Sequence, residues 1–149
     1  MGKLDDTARR ELLDHVIVPV ATGDDALKTA RLLEPYEPDR VTALHVVEKR
    51  KGVPDKTPVE HSEELADESY AAFRSVFPDA NEHTAYDEDI VAAIFEAAEE
   101  IDASAIAYRS RGGNRLLQFL SGDHSVRLVT QAERPVIALP RSDTETEQS

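Results

Sequence analysis

The sequence predicts an α/β fold in which a five-stranded, mostly parallel sheet carries helices on both faces. Short apolar runs rich in β-branched residues alternate along the 149-residue chain with longer stretches of helical periodicity. Nearly continuous apolar runs are typical of strands that are buried on both faces, as in parallel sheets. This alternation of strands and helices, in a chain of this length, favours one α/β domain, here residues 15–140.

The first half of the chain predicts a strand, a helix and a second strand, in chain order His15–Val20, Ala26–Leu33 and Val41–Val47. Pro19 cannot donate to a strand ladder, so it marks the carboxyl end of the first strand. Thr22 or Asp24 suits the N-cap of the helix, and Pro35 ends it. These elements form a βαβ unit, whose crossover is expected to be right-handed. Residues 1–14 predict either a short helix or a frayed N-terminal arm.

The second half predicts three more helices and three more strands. Residues 49–58 are polar and are expected to form a solvated loop before the next helix. That helix ends before Pro78, and Asp87 or Asp89 suits the N-cap of the helix after it. In chain order the elements are a helix over Leu65–Val76, a strand at Glu82–Tyr86, a helix over Ile90–Ile101, a strand at Ala103–Tyr108, a helix over Val126–Ala132 and a strand at Pro135–Leu139. Residues 141–149 predict a disordered acidic tail.

The composition excludes several classes of protein and of site. Cysteine is absent, which excludes disulfides and thiolate metal sites. No apolar run approaches the ~20 residues that a membrane-spanning helix needs. The N-terminus lacks the apolar core of a signal peptide, so a cytoplasmic location is expected. The formal net charge of −13 argues against general nucleic-acid binding, which requires a positive field.

The charge balance also bears on the source of the chain. Acidic residues number 30 against 17 basic residues, and most of the basic residues are arginine. At molar salt the Debye length falls to ~3 Å, so the self-repulsion of an acidic surface is screened. We therefore expect a halophilic, haloarchaeal source, with an ordinary acidic mesophile protein as the alternative.

The stretch Arg109–Ser125 joins the fourth strand to the last helix and combines glycine with basic residues. Gly112 and Gly122 bracket nine residues. Its first part contains three arginines, Arg109, Arg111 and Arg115. A glycine-bearing loop before a helix suits an anion, because backbone N–H groups and the helix dipole face it. Open parallel sheets bind ligands beyond the carboxyl ends of their strands, where the strand order reverses. The sequence therefore predicts one crevice lined by Val20–Asp24, Val46–Glu48 and Arg109–Ser125.

With these motifs in this order, the chain resembles the universal stress protein (UspA-like) family over residues 14–140. The shared features are V-I-V-P-V at the first strand, L-H-V-V at the second, the G-x9-G loop, and R-P-V-I-A-L-P at the fifth. The resemblance implies a Rossmann-like, adenine nucleotide alpha hydrolase-like three-layer sandwich with strand order 3-2-1-4-5. It also implies a homodimer through the strand at Pro135–Leu139. Some members of the family bind ATP through G-x2-G-x9-G-[S/T].

The ATP motif of the family is only partly present. Gly112 and Gly122 match its second and third glycines, whereas Arg109 replaces the first. Asp123 replaces the hydroxyl residue, and Ala21 stands where the family carries a nucleotide-contacting Asp. An arginine hinders the close approach of backbone to phosphate. A carboxylate repels phosphate, by ~4 kcal/mol for unit charges at 4 Å and an effective dielectric constant of 20. We therefore expect ATP binding to be weakened or lost.

The complete set of predicted site residues is Val20, Ala21, Thr22, Val46, Arg109, Arg111, Gly112, Gly122, Asp123, His124 and Ser125. The arginines either form an altered anion site or pair with surface carboxylates. Asp123 is interpreted as the N-cap of the last helix, His124 as an exposed residue at its start, and His45 as a packed or surface-edge histidine rather than a catalyst.

The sequence leaves two functions open. The first is a dimeric interaction module that has lost its nucleotide. The second is a stress protein that binds ATP or another nucleotide through an arginine-modified phosphate loop. The sequence contains no Ser/His/Asp set, HExxH motif or Walker lysine motif, so neither enzymatic turnover nor a bound metal is expected.

Overall fold

The computed structural model describes residues 11–48, 57–109 and 122–140. The strands are β1 (Val16–Pro19), β2 (Val41–Glu48), β3 (Asn81–Asp87), β4 (Ala105–Arg109) and β5 (Val136–Leu139). The helices are α1 (Gly23–Leu33), α2 (Thr57–Arg74), α3 (Ile90–Glu100) and α4 (Gly122–Gln131), with a 3₁₀ turn at Glu34–Tyr36. The predicted alternation of strands and helices is confirmed.

All adjacent strands of the sheet pair in parallel, in the order β3-β2-β1-β4-β5. The chain moves outward from β1 to β3 and then returns to β4 on the other side of β1, so the strand order reverses between β1 and β4. The predicted Rossmann-like fold class and strand order are thereby confirmed. The carboxyl ends of β1 and β4 form the switch point at which doubly wound sheets bind ligands.

Helices cover both faces of the sheet. On one face, α1 and α2 bury Leu33 and Phe73 in the same cluster as Val18. On the other face, α3 and α4 bury Ile94 and Leu128 in the same cluster as Ile17. Each such side chain stabilises the fold by about 1.5–3 kcal/mol relative to an exposed position. Successive strand residues point to opposite faces, so β1 contributes to both layers and is buried throughout.

Side-chain N-caps define the first residues of α1 and α3. The Oγ1 of Thr22 accepts the backbone N–H of Asp25 at 3.1 Å, so Thr22 rather than Asp24 is the N-cap of α1. Asp89 rather than Asp87 is the N-cap of α3, and its carboxylate accepts two backbone N–H groups of the first turn. The Asp87 carboxylate instead accepts the N–H of Asp89 at 3.0 Å.

Several element boundaries differ from those predicted. β4 extends to Arg109, because Arg109 still pairs with Leu139 of β5. Helix α2 begins at Thr57, so the last two residues of the predicted loop over 49–58 are helical; proline is tolerated in a first helical turn, as at Pro58. Helix α4 begins at Gly122, which makes Asp123 its second residue rather than its N-cap.

Four predicted segments lie wholly or partly outside the described residues: the N-terminal arm up to residue 10, the loop over 49–56, the stretch 110–121 and the tail over 141–149. Residues 11–14 form a turn that leads into β1, in which the N–H of Asp14 donates to the carbonyl of Glu11. Among the helices that are described, none has the length and apolarity to cross a membrane.

Candidate functional site

The switch point between β1 and β4 contains a buried ion pair. Arg109, the last residue of β4, places its Nη2 atom 3.0 Å from Oδ1 of Asp25 in the first turn of α1. Only 6% of the Arg109 side chain and 0% of the Asp25 side chain are exposed. Strand alternation explains the orientation, because Ala107, two residues earlier, packs in the same layer as α1.

Both charged groups take part in a wider set of hydrogen bonds. The second carboxylate oxygen of Asp25 accepts the backbone N–H of Ala21 at 2.9 Å. The hydroxyl of Thr29 donates to the backbone carbonyl of Asp25 at 2.8 Å. The Nε of Arg109 donates to the same hydroxyl oxygen at 3.4 Å. The loop after β1, the first two turns of α1 and the end of β4 are therefore joined in one polar network.

The local sequence explains why Asp25 is held in place. The spacing Thr22-x-x-Asp25 matches a capping box, in which an acidic residue in the first turn reaches back to a backbone N–H. Here the acceptor reaches one residue further, to Ala21. The adjacent Asp24 points to solvent and pairs with Lys28 at 3.3 Å. Two neighbouring aspartates thus differ completely in burial and in partner.

A second Arg–Asp pair lies on the other face of the sheet, where it joins α4 to the start of α3. Arg127 of α4 makes a two-pronged contact with Asp89, from Nη1 to Oδ1 at 3.1 Å and from Nη2 to Oδ2 at 2.8 Å. The guanidinium holds the pKa of the Asp89 carboxyl below its usual range. This pair is 37% and 41% exposed, so solvent screens it far more than the pair at the switch point.

The residues around the end of β2 are packed rather than open. Val20 and Val46 are buried, and the N–H of Val20 donates to the carbonyl of Leu44 at 2.8 Å. The Val46 side chain packs in the layer of α3 and α4, whereas the Arg109 side chain reaches α1. Burial lowers the pKa of His45, whose Nε2 lies 3.1 Å from the hydroxyl of Ser62. The interpretation of His45 as a packed histidine is confirmed.

The structure brings some of the predicted site residues together. Ala21, Thr22 and Arg109 all bond to Asp25, a residue that the sequence reading did not include in the site. Thr29 was also missed. The structure therefore pairs Arg109 with a buried carboxylate, whereas the sequence suggested surface carboxylates. The capping-box spacing was the available sign of Asp25.

The remaining predicted site residues are only partly described. His124 lies in the first turn of α4 and is half-buried rather than exposed. The backbones of Gly122, Asp123 and Ser125 belong to the same turn. Arg111 and Gly112 lie outside the described residues. In the described ranges, no group of three or more His, Asp or Glu side chains is arranged to hold a metal ion.

Comparison with known proteins gives one family and one fold. The model of the Universal stress protein family matches residues 13–140. The universal stress protein from Archaeoglobus fulgidus is similar in structure, with 19% identity, a TM-score of 0.66 and coverage of 85% of this chain and 98% of that chain. No curated protein gave a significant match to the sequence.

Two similar structures contain a nucleotide. The universal stress protein from Archaeoglobus fulgidus in complex with dAMP has 19% identity and a TM-score of 0.63, over 87% of this chain and 100% of that chain. A universal stress protein family protein from Arabidopsis thaliana with AMP bound has 15% identity and a TM-score of 0.58, over 89% and 95%. At these identities the likeness establishes a shared fold.

Proposed function

Because this chain belongs to the universal stress protein family, we propose that it is a dimeric binding and interaction module of a stress response in which ATP binding is weakened or lost. The proposal includes no enzymatic turnover. The observation that carries it is the buried ion pair between Arg109 and Asp25 at the switch point of the sheet. Arg109 stands at the position where the ATP motif has its first glycine.

The polar groups that would attract a phosphate are already engaged within the protein. The Arg109 guanidinium contacts the Asp25 carboxylate, and the same carboxylate accepts the N–H of Ala21. A phosphate that entered here would have to displace a buried carboxylate from both donors. The methyl side chain of Ala21 offers no replacement contact, since it can neither donate nor accept a hydrogen bond.

The alternative function is nucleotide binding through an arginine-modified loop. It is supported by the similar structures that contain dAMP and AMP, which show that this fold accommodates adenine nucleotides in other chains. In that case a guanidinium contact to phosphate replaces the close backbone approach that a glycine permits.

Equilibrium binding of ATP, with and without Mg²⁺ in molar KCl, separates the two functions. For the interaction module we expect no binding up to millimolar ATP. Micromolar affinity would establish the alternative. The double variant Arg109→Gly/Asp123→Ser is the matched test of the loop, and it is expected to gain affinity if the loop alone is the cause of the loss. If it gains none, the retained Asp25 carboxylate or the loss of the family's Asp at Ala21 is the cause.

The outer edge of β5 supports the proposed homodimer. Within the described residues no strand pairs with this edge, and Ala138 is exposed. Val126 and Val129 of α4 are 60% and 58% exposed. Val129, Pro135 and Val136 line one shallow depression. Exposed apolar edges invite strand pairing, and antiparallel pairing of two copies of Pro135–Leu139 about a two-fold axis would cover this one.

Light scattering tests the dimer. The chain is expected to have twice its monomer mass at micromolar concentration. Val129→Glu places a charge in the proposed interface and is expected to raise the dissociation constant, while Thr130→Glu on the exposed side of the same helix is the control. A monomeric wild-type chain would contradict the proposal.

The acidic composition supports a cytoplasmic protein of a halophile. Self-repulsion among 30 acidic residues is relieved as salt screens their charges. We therefore expect the free energy of unfolding to increase from low to molar KCl. A stability that is constant or decreasing over this range would remove the halophilic interpretation.

A further inference from the structure

We propose, building on the proposed function of this crevice, that the Asp25 carboxylate is an internal anion that occupies an anion site formed by the Arg109 guanidinium and the Ala21 N–H. Asp25 is then the residue that decides which charge class of ligand the crevice accepts. With the carboxylate in place, the crevice suits a neutral ligand such as a nucleoside. Without it, the crevice requires an anion.

The partners of Asp25 are those that a bound phosphate has in proteins. One carboxylate oxygen lies 3.0 Å from a guanidinium nitrogen of Arg109, and the other accepts the Ala21 N–H at 2.9 Å. A guanidinium and a main-chain N–H that converge on neighbouring oxygens form a typical anion site. Here the anion belongs to the protein.

The location of this pair distinguishes it from an ordinary surface ion pair. It lies at the carboxyl ends of β1 and β4, where the strand order reverses, and both side chains are more than nine-tenths buried. The pair between Arg127 and Asp89 has the same residue types and similar distances, but it is partly exposed and caps α3. The second pair therefore offers a matched control for the first.

Burial also gives the internal anion a consequence that can be measured. Removing one member of a buried ion pair leaves an uncompensated charge, which is strongly destabilising. In the variant Asp25→Ala the Arg109 guanidinium loses its contact at 3.0 Å with a buried carboxylate, and the missing carboxylate leaves space beside it. An external anion that enters this space binds only the folded state and must therefore stabilise it.

The experiment is chemical rescue of Asp25→Ala, followed by the melting temperature at fixed ionic strength and constant chloride. We expect this variant to melt roughly 10 °C below the wild-type chain. Millimolar inorganic phosphate, and ATP in a second titration, are expected to restore several degrees. The wild-type chain and Asp89→Ala are expected to show no such gain. The double variant Asp25→Ala/Arg109→Met is expected to lose the response to phosphate, because the guanidinium is gone.

Three results would overturn the proposal. Rescue by acetate but not by phosphate would mean that the carboxylate is only a structural partner of Arg109. Equal rescue of Asp89→Ala would mean a general effect of the anion on folding. No rescue by any anion would mean that the space beside Arg109 takes none. If Asp25→Ala does not fold, the isosteric Asp25→Asn, which keeps the shape and removes the charge, is titrated in its place.

This test is separate from that of the proposed function. ATP binding by the wild-type chain decides whether the crevice has lost its nucleotide. Phosphate rescue of the Asp25 variants decides whether Asp25 controls the charge of the ligand. Either result can be positive while the other is negative.

Discussion

The boundary between β1 and β4, which we call the seam, is bridged by different side-chain interactions at its two ends. At the carboxyl end, the charged side chains of Asp25 and Arg109 meet across the seam. At the amino end, neutral groups do the same work: the Ser104 hydroxyl donates to the carbonyls of Leu12 and His15 and accepts the N–H of His15 at 2.9 Å. Both networks are buried, but only one carries full charges.

The difference follows from what each end has to do. At the amino end, only backbone groups at the starts of strands need hydrogen-bond partners. The hydroxyl and the backbone N–H of Ser104 are enough to supply them. His15 extends this neutral network to Thr42 of β2 at 2.8 Å. The carboxyl end is where sheets of this type meet their ligands, and there the chain retains a buried cation together with a buried anion. In our proposal, this charged pair affects which ligands bind as well as the stability of the fold.

The largest expected loss of stability comes from breaking the ion pair at the carboxyl end of the seam. Arg109→Met leaves the buried Asp25 carboxylate without its guanidinium, and we expect the free energy of unfolding to fall by about 3–5 kcal/mol. Urea denaturation in molar KCl measures the loss. Arg127→Met, which breaks the partly exposed pair, is the control and should cost clearly less.

The double variant Asp25→Leu/Arg109→Met sharpens the same comparison. Replacing both members of a buried ion pair by apolar groups often recovers the stability that a single replacement removes. The double variant is therefore expected to be more stable than Arg109→Met alone. A loss equal to the sum of the losses of Asp25→Leu and Arg109→Met would show that the two charges do not depend on each other.

Breaking the neutral hydrogen-bond network at the amino end should lower the free energy of unfolding by less. Ser104→Ala removes the acceptor of the buried His15 N–H and the donor to two carbonyls. Leaving such a group unsatisfied costs about 1–3 kcal/mol. The same urea titration tests the ranking, which fails if Ser104→Ala is more damaging than Arg109→Met.

A smaller effect at the neutral end depends on pH. Burial lowers the pKa of His15, with a further lowering by Arg40, while Asp14 and Asp102 act in the opposite direction. The unfolded chain therefore takes up this proton more readily, near its ordinary pKa of ~6.5. The stability that neutral His15 contributes is present above ~6.5 and is lost as the pH falls below it. Unfolding at pH 5 to 8 should show this slope, and His15→Gln should flatten it. An unchanged slope in the variant would assign the effect to other groups, including His45, whose pKa is also lowered.

The smallest expected effect is at the exposed neighbour of Asp25. Asp24 is 72% exposed and pairs with Lys28 across one turn of α1. Asp24→Asn is expected to change the free energy of unfolding by no more than about 0.5 kcal/mol. Comparison with Asp25→Asn contrasts an exposed ion pair with a buried one, since the two positions are adjacent and the substitution is identical.

Most of the fold could be predicted because it rests on local patterns. The apolar, β-branched runs at β1, β2 and β5 identify buried strands, and the spacing of apolar residues in α1 and α3 identifies their inner faces. Boundaries were less certain because they depend on pairing with distant strands, as at Arg109, which remains in β4 through its contact with Leu139.

The site could be located from the sequence, but its chemistry could not. Ala21, Thr22 and Arg109 were placed at one crevice because parallel strands end at the same edge. The partner of Arg109 lies 84 residues away in the chain, and no local pattern pairs the two. The choice between Asp24 and Asp25 as the buried carboxylate depends on how α1 is turned toward the sheet, which only the assembled structure fixes.

The seam between β1 and β4 also has a consequence for folding kinetics. β1 and β4 pair through only two positions, Val16 with Ala105 and Ile17 with Ile106, and this pairing joins the two halves of the sheet. Contacts between residues so far apart in sequence close large loops, and their entropy cost delays them. We therefore expect the Asp25–Arg109 pair to form after the folding transition state. Breaking it should then mainly speed unfolding and leave the folding rate nearly unchanged. In the native protein, the pair would form late in folding and slow unfolding, so it would lengthen the lifetime of the folded state.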